Sequence, residues 1–242
     1  MRDKFDIVLL LGRPAAGKSE IIDYLKKIDI EQRIEKFHIA HIVEIDDFKF
    51  IWKRGEMDDR REKMTKKRLD TLKIKIGGYV VKNNSVYKKL ISDINTLFKE
   101  KYNTQFFFKR NTLFIEFSRG GTNGYKDSLS LLDRSLLSRT VIYYVNVSYE
   151  ESLRKNKRRY DPDLEDSILF HTVPDRVMKK YRTDDWKKLS RQKNVLTINR
   201  TKVPYAVFQN EPEKTNEPEK IKKELLRINN TLYKNYNKLR AC

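Results

Sequence analysis

Eight residues near the start of the chain have the types and spacing needed to hold phosphate. They are Gly12-Arg13-Pro14-Ala15-Ala16-Gly17-Lys18-Ser19, which match the pattern G-x-x-x-x-G-K-[ST]. Gly12 and Gly17 allow the backbone to bend around an anion, and successive N–H groups would point at its oxygens. Lys18 would reach the β- and γ-phosphates of a nucleotide, and Ser19 would ligate Mg²⁺. The pattern predicts a nucleotide-binding loop formed by all eight residues.

The residues on either side of this loop have the patterns of a strand and a helix. An apolar run predicts a strand over 5–11, and apolar residues recur at helical spacing over 18–28. Strand, loop and helix in this order are the context in which the phosphate-binding pattern is functional. A chance glycine turn is the alternative, and both flanking elements argue against it.

Two acidic residues follow the next β-rich segment. Residues 38–45 predict a short strand, and Asp46 and Asp47 come directly after it. Ligands of open parallel α/β sheets bind beyond the carboxyl ends of the strands. The pair would therefore lie beside the phosphate-binding loop if the two strands are neighbours. Either Asp46 or Asp47 could orient or deprotonate an attacking hydroxyl group.

A further acid and an arginine mark the end of the predicted strand 112–117. Glu116 lies in this buried pattern, where a carboxylate is costly without a partner. Its position at the carboxyl end of the strand indicates a role near Mg²⁺ or a water molecule bound to it. Arg119 would project into the same cleft and hold a phosphate or carboxylate of the substrate. The alternative is an ion pair between Glu116 and Arg119 that only holds the loop.

Three arginines lie on a helix predicted after the strand pattern 140–147. Ser148 is a suitable N-cap, and Glu151 three residues later completes a capping box. Arg154 and Arg158 are four residues apart and share a face of this helix. Arg159 follows directly, and the alternative to a functional role for these three arginines is a solvated basic helix.

The rest of the chain predicts an insertion and a C-terminal extension. Residues 49–102 are polar and mostly helical in pattern, with a break at Gly77-Gly78. We expect this insertion either to cover the acceptor substrate or to be a solvated helical pair. Residues 195–198 predict the last strand, and 204–242 a linker followed by an amphipathic helix. We expect the apolar stripe of that helix to pack on the domain; it consists of Ile221, Leu225, Ile228, Leu232, Tyr236 and Leu239.

Composition narrows the class of protein. The chain has 242 residues, of which 38% are hydrophobic and 36% charged. No apolar run approaches the ~20 residues that span a bilayer, so we expect no membrane association and no leader. The single cysteine, Cys242, excludes an internal disulfide, and a reducing, cytoplasmic setting is expected. The net charge of +19 makes nucleic acid a possible partner, and the oligomeric state stays open.

The chain resembles the P-loop kinases of the nucleoside and nucleotide kinase type in three features together. They are the phosphate-binding loop 12–19, the acid pair 46–47 and the basic helix 154–159. The resemblance covers about 5–198. It implies an α/β, three-layer sandwich of adenylate-kinase-like fold, with a five-stranded parallel sheet in the order 2-3-1-4-5. It also implies ATP and Mg²⁺ as cofactors and a LID over 148–163 whose arginines close over the phosphates. The kinase core would then span 1–203.

An acid after the second strand is similar to that of kinases that phosphorylate a hydroxyl, such as polynucleotide 5′-hydroxyl kinases, adenylylsulfate kinases and zeta-toxin-like kinases. The expected function is transfer of the γ-phosphate of ATP to a hydroxyl of a small nucleoside- or nucleotide-like acceptor. The expected metal ligands are Ser19 and Glu116, and the expected catalytic residues are Lys18, Asp46, Asp47, Arg119, Arg154 and Arg158.

Two other functions remain open at this stage. A nucleic-acid 5′-hydroxyl kinase is favoured by the net charge and by the basic region 53–75. A regulatory nucleotide-binding NTPase would transfer phosphate to water or not at all. The acid pair and the arginine helix argue against this last class, because such switches need neither.

Overall fold

The computed structural model describes residues 4–74, 78–159 and 173–240, and a six-stranded sheet lies at its centre. The strands are β1 (Ile7–Gly12), β2 (His41–Asp46), β5 (Asn111–Phe117), β6 (Thr140–Asn146), β7 (Val195–Ile198) and β8 (Thr201–Gln209). Their order is β2-β5-β1-β6-β8-β7, and every neighbouring pair is parallel except β7 with β8. A separate antiparallel hairpin joins β3 (Thr71–Lys73) to β4 (Tyr79–Val81).

Helices surround the sheet within these described ranges. They are α1 (Lys18–Lys26), α2 (Ile30–Phe37), α3 (Asp47–Thr65), α4 (Asn84–Leu97), α5 (Gln105–Arg110), α6 (Gly124–Ser130), α7 (Arg134–Leu137), α8 (Tyr149–Arg158), α9 (Asp175–Met178), α10 (Trp186–Leu189) and α11 (Pro218–Arg240). A π-helical turn over Phe98–Tyr102 continues α4, and a 3₁₀ turn over Lys179–Tyr181 follows α9.

The central strand β1 is buried on both faces, and its side chains alternate between two apolar cores. Ile7, Leu9 and Leu11 belong to the core that α4, α6 and α10 cover. Val8 and Leu10 belong to the core that α1, α2 and α11 cover. Helices therefore pack on both faces of a mostly parallel sheet, and the predicted α/β class is confirmed.

The predicted sheet was wrong in its number of strands and in their order. Six strands replace five, because β8 pairs with β6 and displaces β7 (195–198) to the edge of the sheet. Asn199 and Arg200 both have positive φ, 48° and 63°, and form the tight turn that sends β7 back antiparallel to β8. Pro204, which the sequence pattern placed at the end of the domain, lies inside β8 opposite Val195.

The C-terminal helix packs on the domain, as predicted. The linker predicted from 204 begins only after β8 ends at Gln209, and α11 starts at Pro218. Its stripe Ile221, Leu225, Ile228, Leu232 and Tyr236 is buried in the core shared with α1 and α2, and Leu239 is half-buried. Two polar contacts fix the helix: the Tyr143 hydroxyl donates to Asn229 at 2.5 Å, and the Asp6 N–H donates to the Tyr236 hydroxyl at 3.2 Å.

The insertion 49–102 contains the β3–β4 hairpin in addition to the predicted helices, and Asp58 of α3 fastens it. The buried Asp58 carboxylate accepts the N–H groups of Leu69, Asp70 and Thr71 at 3.0, 2.9 and 2.7 Å. Burial alone would raise the pKa of Asp58, but these hydrogen bonds outweigh it and lower the pKa to about 2. The ionised carboxylate thus stabilises the hairpin.

Asp58→Asn is expected to lower the free energy of unfolding at pH 7 by about 2 kcal/mol, because the amide cannot accept the same set of N–H groups. Since the folded pKa is depressed, the wild-type advantage is full above pH ~4 and declines as the pH falls towards ~2. Urea unfolding between pH 7 and pH 2.5 measures this. Asp127→Asn, at an exposed position of α6, is the matched control. A pH-independent difference would contradict the assignment.

Candidate functional site

The loop between β1 and α1 has the conformation of an anion cradle. Ala15 has a φ of 54° and Gly17 a φ of 104°, an alternation that turns successive N–H groups to one side. A Cβ on Gly12 would lie 2.8 Å from the Val145 carbonyl oxygen, and one on Gly17 would lie 2.5 Å from Nδ2 of Asn210. No side chain caps the start of α1, so its first N–H groups are available to a ligand.

Side chains from three parts of the chain hold the outward-facing carbonyl groups of this loop. Lys18 Nζ donates to the Arg13 carbonyl at 2.9 Å. Ser152 Oγ donates to the Pro14 carbonyl at 2.7 Å, and Asn210 Nδ2 to the Ala16 carbonyl at 2.7 Å. Ser152 and Asn210 lie far from the motif in sequence, and no motif identified them.

Arg13 fastens the loop to its surroundings through its side chain. Its Nε donates to the Tyr181 carbonyl at 3.0 Å and Nη1 to the Val147 carbonyl at 2.9 Å. Nη2 forms an ion pair with Asp184 at 2.7 Å. The guanidinium is therefore occupied, and Arg13 contributes to the cradle through its backbone.

Lys18 lies at the junction between the cradle and the strand ends. Its ammonium donates to Ser118 Oγ at 2.9 Å and lies 3.6 Å from Glu116 Oε1. Ser19, one residue later, is exposed towards the cavity described below. No sequence pattern identifies Ser118 as a partner of Lys18, except that Ser118 directly follows a buried strand.

Asp46 and Glu116 are neighbours at the carboxyl ends of β2 and β5, in register with each other. Asp46 Oδ1 accepts the Phe48 N–H at 2.9 Å and caps α3. Burial, and then the charge of Asp47, raises the pKa of Asp46 to about 6. Burial raises the pKa of Glu116 to about 7, against the opposing effect of Lys18. Two carboxyl groups here can thus exchange protons near neutral pH.

Asp47 has a different environment, because Arg119 pairs with it. Arg119 Nη1 lies 2.5 Å from Asp47 Oδ2, and Nε donates to Ser128 Oγ at 2.9 Å. The guanidinium packs over the rings of Tyr87 and Phe117, at 4.5 and 4.8 Å from their centroids. The ion pair considered between Glu116 and Arg119 does not form; Arg119 pairs with Asp47 and Glu116 faces Lys18.

These groups line one cavity of about 800 Å³. Its phosphate end consists of the cradle, Lys18, Ser19 and Glu116. Asp46 borders Glu116, and Asp47, Arg119 and apolar side chains of the insertion and of 173–181 complete the lining; this second group of residues, with Asp46, is called here the acceptor end. Side chains of the insertion 49–102 thus form part of the cavity lining.

Helix α8 brings part of its predicted arginine group to the cavity. Ser148 caps it, because its hydroxyl oxygen accepts the Glu151 N–H at 3.1 Å. The Ser148 N–H donates to the carboxylate of Glu211 at 2.6 Å, and not to that of Glu151 as a capping box requires. Arg158 and Arg159 line the cavity. Arg154 does not; its exposed guanidinium pairs with Glu151 at 2.7 Å. Residues 160–163 of the predicted LID lie outside the described residues.

Acids already hold the arginines of α8. Glu213 forms ion pairs with Arg158 at 3.0 Å, Arg154 at 3.1 Å and the buried Lys155 at 2.9 Å. Arg159 pairs with Glu20 of α1 at 2.5 Å. Burial would raise the pKa of Glu213, but the surrounding cations outweigh it and hold the pKa below its usual value. A nucleotide phosphate would have to compete with Glu213 for Arg158.

Two searches of the described residues bear on cofactor and membrane. No group of three or more His, Cys, Asp or Glu side chains in 4–74, 78–159 and 173–240 is placed to hold a metal ion. The predicted metal ligands Ser19 and Glu116 both line the cavity. None of the helices described is both long and apolar enough to cross a bilayer.

The chain is similar in outline to several solved kinase structures. No family model and no curated protein matches it. A gluconokinase from Sinorhizobium meliloti 1021 is 11% identical, with a TM-score of 0.48 over 95% of this chain and 97% of its own. A sugar kinase from Janibacter sp. HTCC2649 is 10% identical, with a TM-score of 0.43 over 92% and 93%. Shikimate kinase from Acinetobacter baumannii, in complex with shikimate, is 12% identical, with a TM-score of 0.32 over 97% and 81%.

Glu213→Gln is expected to lower the free energy of unfolding by about 3 kcal/mol, because it leaves the Lys155 ammonium, only 2% exposed, without its carboxylate. Urea unfolding at pH 7 measures this. Arg154→Ala is the matched control: it removes a partner of the same acid that is 52% exposed, and should change stability far less because solvent screens an exposed pair. Equal effects of the two variants would refute the central role of Lys155.

Proposed function

We propose that this protein is an ATP-dependent kinase that transfers the γ-phosphate to a hydroxyl group of a small molecule. One observation carries the proposal: a single cavity is lined by a phosphate cradle with Lys18 and, beside Glu116, by the Asp46 carboxylate and the Asp47–Arg119 pair. Phosphoryl transfer requires this arrangement, because catalysis consists mainly of placing donor and acceptor in line and neutralising charge.

The phosphate end supplies binding and charge neutralisation. The N–H groups of the cradle and of the first turn of α1 would receive the β- and γ-phosphate oxygens, and Lys18 would exchange its bond to the Arg13 carbonyl for a phosphate oxygen. Ser19 and Glu116 would hold Mg²⁺, and an oxygen donor set of this kind suits that ion. When bound, Mg²⁺ would offset the negative charge of the transferring group.

The contacts of the two aspartates suggest different roles. Asp46 uses one carboxylate oxygen to cap α3, and the other accepts no hydrogen bond from the described residues. Asp47 is bound to Arg119, which Ser128 and the Ser118 carbonyl also hold. We assign Asp46 as the group that orients the acceptor hydroxyl and takes its proton, and Asp47 as the residue that positions Arg119.

The reaction then proceeds in one displacement. The acceptor oxygen forms a bond to the γ-phosphorus while the bond from that phosphorus to the β,γ-bridging oxygen breaks, and ADP leaves with the bond electrons. The hydroxyl proton passes to Asp46. Arg158 and Arg159 line the cavity from α8. During the transfer they would leave the carboxylates of Glu213 and Glu20 and bind phosphate oxygens, which stabilises the charge that passes to ADP.

The test is ADP release with ATP and Mg²⁺, measured with and without a panel of sugars, nucleosides, nucleotides and oligonucleotides with a 5′-hydroxyl. Acceptor-dependent release is expected. Lys18→Ala and Asp46→Asn should each lower kcat/KM by about 100-fold, through lost phosphate stabilisation and a lost proton acceptor respectively. Asp127→Asn serves again as the control and should retain the wild-type rate.

Other outcomes would identify the competing functions. ADP release that no acceptor stimulates would indicate a regulatory NTPase. Release stimulated only by oligonucleotides, with affinity that falls steeply with salt, would indicate a nucleic-acid 5′-hydroxyl kinase. Full activity of Asp46→Asn would refute the assignment of the proton acceptor, whichever acceptor is used.

A further inference from the structure

The acceptor end of the cavity has mostly apolar walls. The insertion contributes Ile51, Tyr79, Val81 and Tyr87, and the segment after α8 contributes Val177 and Tyr181. The hairpin and this segment also contact each other, since Val80, Val177 and Tyr181 belong to one buried apolar cluster. The body of the acceptor would therefore lie between apolar and aromatic side chains.

The tyrosine hydroxyls in these walls already have partners. Tyr79 donates to Asp59 at 2.8 Å, and the hydroxyls of Tyr87 and Tyr181 lie 3.4 Å apart. A polyol placed here would lose hydrogen bonds to water and find few replacements, which costs about 1–3 kcal/mol for each unsatisfied group. The walls thus favour a compound with few hydroxyl groups.

The two buried cations of the cavity, Lys18 and Arg119, are balanced before an acceptor binds. The buried Arg119 is matched by Asp47, and Lys18 is shared with Glu116. Lys49 also lines the cavity, but it is exposed and its charge is screened by solvent. A negatively charged acceptor would therefore lose its hydration without gaining an unmatched buried cation, and Asp46 would repel it.

Arg119 offers no clamp to an anionic ligand. Nε donates to Ser128, and Nη1 donates to Asp47 and to the Ser118 carbonyl. Nη2 is buried and has no hydrogen-bond partner among the described residues, and Arg119 as a whole is only 3% exposed. A carboxylate or phosphate clamp needs two parallel N–H donors, so the fork geometry is not available.

We propose that the acceptor is an uncharged hydroxyl compound with an apolar, ring-bearing body. This inference rests on the proposed kinase function and specifies its substrate class. The Asp47–Arg119 pair then contributes to specificity by cancelling the charge that an unmatched Arg119 would offer to anions.

The experiment compares probes that differ mainly in charge. Calorimetric titration of the full chain, saturated with Mg²⁺ and a non-hydrolysable ATP analogue, would use thymidine against thymidine 5′-monophosphate and pyridoxine against 4-pyridoxate. Glucose and gluconate serve as polyols without an apolar ring. The uncharged ring compounds are expected to bind at least about tenfold more tightly than their charged partners and than either polyol.

Two variants test the role of the ion pair. Asp47→Asn leaves the charge of Arg119 unmatched and is expected to reduce the preference for thymidine over its monophosphate by about tenfold. The double variant Asp47→Asn/Arg119→Gln removes both charges together, is the matched control for folding and shape, and should keep the wild-type preference. An unchanged preference in Asp47→Asn, with the fold intact by circular dichroism, would overturn the assignment.

Further outcomes separate this inference from the proposed function. Tightest binding of gluconate, glucose or a monophosphate by the wild type would overturn the inference, as would binding of the ATP analogue with no uncharged ring compound bound. The kinase proposal would survive if any of those acceptors still stimulated ADP release. Conversely, binding of the uncharged compounds without phosphate transfer to any acceptor would refute the kinase proposal and leave the selectivity intact.

Discussion

The phosphate-binding loop keeps its shape because its carbonyl groups are bound from outside. A backbone that turns its N–H groups inward must turn carbonyls outward, and each buried carbonyl needs a donor. Ser152 of α8 and Asn210 after β8 supply two of these donors. The loop therefore depends on elements that are close to it only in the folded chain, and these elements meet where the parallel strands end.

The same elements constrain each other. Thr215 accepts a hydrogen bond from Lys155 of α8 at 3.0 Å, and Asn210 donates to Thr215 at 3.0 Å. Arg13 connects the loop to Tyr181 and Asp184, beside the wall of the acceptor end. Phosphate binding, the position of α8 and the shape of the acceptor end are thus parts of one hydrogen-bonded network. Double-mutant cycles between these residues would show coupling.

Much of the centre of the fold can be read from the sequence. Strand β1, the loop 12–19 and the positions of Asp46 and Glu116 follow from an apolar run, a motif and strand-end acids. The contacts between side chains cannot be read in this way. Asp47 and Arg119 are 72 positions apart, and only the folded chain shows that they pair with each other and that Glu116 faces Lys18. The edge of the sheet was missed because its turn uses Asn199-Arg200 rather than Asn-Gly, and because a proline within β8 suggested a boundary.

A near-repeat in the chain places almost the same residues in two different environments. Its copies are Asn210-Glu211-Pro212-Glu213-Lys214-Thr215 and Asn216-Glu217-Pro218-Glu219-Lys220. In the first copy Asn210 and Thr215 are buried against Gly17 and Glu213 is half-buried, whereas every residue of the second copy is exposed and its proline begins α11. Selection should therefore act unequally on the two. In homologous chains the first copy should be conserved while the second accumulates substitutions. Only the buried copy would then remain recognisable.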